Sequence, residues 1–137
     1  MTQFVARALL LAALAAGALG AAAIPPPSAR PSGCAACREK KPVLDPASLK
    51  EADDGARAAY AAARAYPETI DKIHCYCGCE ESPNLHHKSL LTCFTTLHAT
   101  GCEICQGEAR MAGKMKQEGS PDEEIKQVVE SIYKDRN

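Results

Sequence analysis

Three cysteines stand at alternate positions in Cys75-Tyr76-Cys77-Gly78-Cys79, directly after His74. Cysteines spaced C-x-C are poor disulfide partners for each other, because the bond wants Cα atoms about 4.4–6.8 Å apart in a restricted torsion. The same spacing suits a soft metal ion. Thiolates two residues apart can turn toward one centre while Gly78 lets the backbone fold tightly around it. Disulfides from these three cysteines to distant partners are the alternative, since exported chains with an even cysteine count often pair them.

Other residues of ligand type follow. A helix expected over residues 84–98 sets His87, Leu91, Phe94 and His98 along one edge and His86, Leu90, Cys93 and Leu97 along the next, so either first histidine can approach a site containing Cys93. His98 then leads, four and seven positions on, to Cys102 and Cys105. That C-x-x-C falls at the start of a helix expected over residues 103–117, where free amide groups and the helix dipole favour thiolate. Metal binding and thiol redox chemistry are equally served by this placement. Met111 and Met115, spaced i,i+4, read as core filling more readily than as thioether ligands.

The earlier pair, Cys34-Ala35-Ala36-Cys37, is followed by Arg38 where a c-type haem would need histidine. It lies in residues 24–44, a proline-rich linker expected to be extended and to contribute little to the fold. A local disulfide, pairing with the body, or a metal-capturing arm all remain open for it.

The elements that must position these residues are helical. Asp45-Pro46 marks a helix start, and Ala52, Ala56, Ala59, Ala63 and Tyr66 repeat at helical spacing, so one helix is expected over residues 46–66. Pro67 breaks it and opens a further turn in which Ile70 and Ile73 are expected to pack beneath the cysteine loop. Ser120-Pro121-Asp122-Glu123 reads as a capping box for a last helix with Ile125, Val128, Val129, Ile132 and Tyr133 on its apolar face. No strand-like alternation appears. The expected fold is all-α, a small helical bundle with a cysteine-rich loop over residues 45–137, preceded by a signal peptide and a proline-rich linker.

Residues 1–23 carry Arg7, an apolar run and then Ala21-Ala22-Ala23, which reads as a secretory signal peptide cleaved after Ala23. The run is short against the roughly 20 residues that span a bilayer, so no stable membrane span is expected after cleavage. The expected location is periplasmic or secreted. The chain has 137 residues and a net charge of −1, and removing the segment with Arg7 leaves it slightly more acidic. Such a balance excludes a basic nucleic-acid interface. With no tryptophan and two phenylalanines, one of them in the leader, the body buries few large side chains and needs staples, either disulfides or metal.

With Cys75-Tyr76-Cys77-Gly78-Cys79 followed by His87-Lys88-Ser89, Cys93-Phe94 and Cys102-Glu103-Ile104-Cys105, the chain resembles a family of exported or lipid-anchored bacterial proteins known for a PCYCGC motif. The resemblance covers roughly residues 66–111. It implies a shared framework of Cys75, Cys77, Cys79, His87, Cys93, Cys102 and Cys105 rather than an activity, and it does not extend to Cys34 or Cys37. His74 stands where the motif has proline, and no cysteine follows the apolar run to take a lipid.

The expected function is binding of a soft metal ion outside the cytoplasm, for sequestration or transfer, with copper(I) or zinc as the ion. The expected ligands are Cys75, Cys77, Cys79, His87, Cys93, His98, Cys102 and Cys105. Six cysteines and two histidines would fill two tetrahedral zinc sites, whereas Cu(I), with fewer ligands per ion, would permit more. Another exported metal-handling protein is the expected partner. The competing readings are a disulfide-stapled interaction module without metal and a thiol redox protein. No hydrolytic triad, phosphate loop or carboxylate pair is present, and no enzymatic activity is expected.

Overall fold

The computed structural model describes residues 33–136. The expected signal peptide, residues 1–23, and the first part of the linker lie outside the described residues. Four α-helices make the body: α1 (Asp54–Ala65), α2 (Pro67–Asp71), α3 (Glu103–Gln117) and α4 (Asp122–Tyr133). One short 3-10 turn precedes α1 and two more lie between α2 and α3, and no strand occurs among the described residues. The all-α expectation holds. No helix among the described residues is long and apolar enough to cross a membrane.

Helices α1 and α3 form the frame, and small residues let them close on each other. Ala56, Ala59 and Ala63 of α1 and Ala109 and Ala112 of α3 are fully buried. A side chain on Gly113 would come within 2.7 Å of the Ala62 Cβ, so the helices meet there at a distance that only glycine allows. Helix α4 lays Ile125, Val129 and Tyr133 into the same core. Ile70, Ile73, Leu90, Leu91 and Phe94 complete it, each at most 1% exposed, and full burial of such side chains is worth about 1.5–3 kcal/mol apiece. Met111 and Met115 pack against this core, as expected of gap-filling methionines.

The single helix expected over residues 46–66 is divided. Asp45 caps only the 3-10 turn Pro46–Ser48, its carboxylate accepting from Ala47 N–H at 2.9 Å. A second cap, Asp53, accepts from Ala56 N–H at 2.7 Å and starts α1 afresh. Between the two, the Arg57 guanidinium donates to the carbonyls of Leu49 and Ala52, serving backbone oxygens outside α1.

The helix expected over residues 84–98 does not form either. His86 adopts a φ of 50° and Ser89 is extended, so the chain re-enters helical geometry only as the 3-10 turns Leu90–Phe94 and Leu97–Gly101. Long-range bonds win here over local propensity. Leu90 N–H donates to the Ile73 carbonyl at 3.0 Å, and the Phe94 carbonyl accepts from Leu44 N–H at 3.0 Å. Leu97, expected on the apolar stripe, is 63% exposed.

The last helix starts one position later than its capping box implies. Pro121 is the N-cap and makes no side-chain cap. Asp122 instead ties the helix start to the body, accepting from Thr69 Oγ1 at 2.9 Å and from Lys72 and Lys116 at 2.6 Å each. Those two ammonium groups, with Lys116 first, hold its carboxyl below the usual carboxylate range.

The described part of the proline-rich segment is docked, not an extended tether. Cys34 and Cys37 form a disulfide and are 9% and 4% exposed. The buried Asp71 carboxylate receives Arg38 N–H at 2.5 Å, Glu39 N–H at 3.1 Å and Ser89 Oγ at 2.8 Å. Glu39, itself 2% exposed, accepts from Thr92 Oγ1 at 3.0 Å, and Val43 is buried in the core. Backbone donors satisfied by one buried carboxylate outweigh the proline content that reads as linker.

Candidate metal centre

The cysteine loop follows α2 two residues after its end and is held by two glutamates. Cys75 N–H donates to Glu80 Oε1 at 2.7 Å, and Tyr76 N–H to Glu108 Oε1 at 2.8 Å. Gly78, at a φ of 80°, supplies the left-handed turn that brings the loop back on itself. The 3-10 turns carry Cys93 and His98 to the same place, and Gln106 Nε2 fastens the second turn to α3 through the Ala99 and Thr100 carbonyls at 2.8 and 3.2 Å. Cys102 is the N-cap of α3, its sulfur accepting from Cys105 N–H at 3.3 Å.

Six free thiols and two imidazoles converge there. Cys75 Sγ lies 3.4 Å from Cys105 Sγ and 3.5 Å from Cys77 Sγ. Cys105 Sγ reaches Cys77 Sγ at 3.5 Å and Cys102 Sγ at 2.8 Å. Cys79 and Cys93 sulfurs are 3.4 Å apart. His87 Nδ1 is 3.3 Å from Cys93 Sγ, His98 Nε2 is 3.9 Å from Cys77 Sγ, and the two imidazole rings meet edge to face at 4.8 Å. Cys75, Cys79, Cys93 and Cys105 are buried, whereas Cys77, Cys102 and both histidines keep partial exposure and form the open side. Thus every residue expected as a ligand lies in one pocket. His74 and His86 do not: His74 is held between Glu80 and Glu81, 3.2 Å from each, and His86 is exposed on its turn.

Thiols in contact cannot all ionise, so protons are shared among them. The Cys105 thiol leads the neighbours that hold Cys79 and Cys102 below the ordinary thiol range. Cys93 first, then His98 against the cost of burial, bring Cys77 down to about 5. The donors move the other way. Cys102 and its neighbours push Cys105 up; Cys105, and after it Cys93, pull Cys75 down, but Cys79, burial and the Glu108 charge together outweigh them and raise it to about 12. Burial lowers His98, but Cys77 outweighs it and the imidazole is more basic than usual.

Glu108 is the residue that sequence reasoning missed. It is fully buried, its Oε2 has no hydrogen-bond partner among the described residues, and burial pushes its carboxyl up to about 8 against the Tyr76 N–H that favours the charged form. Its position three residues after Cys105 on α3, hence on the same helix face, was the available signal.

A family model described as "Protein of unknown function with PCYCGC motif" matches residues 35–137. The chain belongs to the PCYCGC family. The match extends well beyond the motif, taking in Cys37, the docked segment and α4 as well as the cysteine pocket. No curated protein and no solved structure matches the chain.

Proposed function

We propose that this PCYCGC protein is an exported binder of soft metal ions that takes Cu(I) in preference to Zn(II) and sequesters the ion or hands it on, without catalysing a reaction. The observation that carries this reading is the convergence of six free thiols and two imidazoles in one pocket while Cys34 and Cys37 are already paired. Sulfur-rich sites select soft ions over hard ones. The half-exposed Cys77, Cys102, His87 and His98 give an ion a route between solvent and the buried sulfurs, which a storage or transfer role requires.

The test replaces one loop sulfur. In anaerobic titrations with a chromophoric Cu(I) chelator as competitor, Cys77→Ser is expected to weaken Cu(I) binding at least tenfold. Ion bound at a thousandfold over its Kd stabilises by about 4 kcal/mol, which for a domain of this size raises Tm by about 15–30 °C. Reduced wild-type protein that binds neither Cu(I) nor Zn(II), and melts identically with and without them, would overturn the reading in favour of a stapled module.

A further inference from the structure

We infer that the pocket is built for four Cu(I) ions held as one cluster, with five cysteine thiolates each bridging two of the ions. The inference rests on the soft-metal reading and specifies what that site takes up. Its basis is the way the ligand groups share members. There are four sets of donors, and within each set the ligand atoms lie within 4.8 Å of one another. Two are all sulfur, Cys75/Cys93/Cys105 and Cys75/Cys77/Cys79, and they have Cys75 in common. A third set, Cys77/His98/Cys102/Cys105, shares Cys77 with one sulfur trio and Cys105 with the other. The fourth, Cys79/His87/Cys93/His98, shares Cys79 with one trio and Cys93 with the other.

Every pair of sets is therefore linked by one residue, which is the connectivity of a tetrahedron. Five of its edges carry a cysteine, and the sixth carries His98. Cys102 and His87 each belong to one set only and are terminal donors. A thiolate has lone pairs enough to bridge two ions, whereas an imidazole nitrogen has one and serves a single ion. Without His98, each corner still has three donors, mostly the soft thiolates that Cu(I) prefers. Zinc, which takes about four, fits the same residues badly. The two four-membered sets compete for His98, so only one can be complete, and the buried Cys75 belongs to neither.

The charges and atoms balance without redox change. Four Cu(I) ions give up their carrier ligands on entering, the six cysteines release to solvent whatever protons they still hold, and eleven sulfur–copper bonds and one His87 nitrogen–copper bond take their place. Six thiolates against four single positive charges leave a core of charge −2.

Anaerobic native mass spectrometry of the protein titrated with Cu(I) reads the stoichiometry directly. Wild type is expected to pass from apo to four bound ions with little population between, because shared sulfurs make each ion favour the next. Cys102→Ser is expected to keep four ions, since His98 can complete that corner with Cys77 and Cys105. Adding His98→Ala to Cys102→Ser is expected to remove one ion and leave three. Cys75→Ser, which breaks the bridge between two corners, is expected to lose cooperativity, with circular dichroism checking that the variant folds. Wild type that saturates at three or fewer ions overturns the cluster while leaving soft-metal binding intact. Four ions that are unaffected in the Cys102→Ser/His98→Ala variant also overturn it. No bound copper at all overturns both this inference and the function on which it rests.

Discussion

Glu108 places a carboxyl group with no solvent exposure against the backbone of the cysteine loop, and the cost of ionising it there ought to be visible in the reduced, metal-free protein. Its folded-state pKa of about 8 lies above the ordinary 4.5 of the unfolded chain, so the folded state holds its proton more tightly. Stability from this group is fully present below about 4.5 and declines as pH rises through about 8, a change of several kcal/mol. Glu108→Gln keeps an oxygen for Tyr76 N–H and has no proton to lose. Thermal unfolding at pH 5 and pH 8 is expected to show a smaller drop for the variant than for wild type. Equal drops would mean that Glu108 is already ionised at the lower pH. The cysteines were legible from their types and spacing because soft-metal chemistry restricts both, whereas His87 was separated from His86 only by the family resemblance, since the helix expected to carry them does not form. Glu108 was not legible, because a glutamate on a helix is ordinarily solvated and its burial depends on where α3 meets the loop.

At the scale of elements, α3 and α4 were readable from their apolar faces and terminal residues, within a position or so at the ends. The segment with residues 84–101 was not, because its path follows from bonds to distant partners. Leu90 N–H needs the Ile73 carbonyl and Leu44 N–H the Phe94 carbonyl, neither of which a local period reveals. The docked segment around Cys34 and Cys37 was read as a tether for the same reason: Asp71, more than 30 residues away, supplies the acceptors for its backbone. That segment should support the fold without holding the ion. The double substitution Cys34→Ala/Cys37→Ala opens a four-residue loop, for which the chain-entropy relation gives about 2 kcal/mol. Unfolding in denaturant is expected to report a loss of that order, with Cu(I) stoichiometry unchanged. Fewer bound ions would make the pair part of the metal centre.

The whole molecule spends its few large apolar residues on a small core and fills the α1–α3 contact with alanine and glycine. A body of this size and composition gains from cross-links, and the disulfide supplies one at the docked segment while the thiol pocket joins the loop, both 3-10 turns and α3. A metal held there would couple binding to folding, because its ligands come from separate elements that only the folded chain brings together. The central claim is that sulfur holds the ion. X-ray absorption at the copper edge on the anaerobic Cu(I)-loaded protein measures that directly. The expected spectrum is a first shell dominated by sulfur, with a minor nitrogen contribution from His87 and short copper–copper scattering. A first shell of oxygen and nitrogen alone would contradict the account.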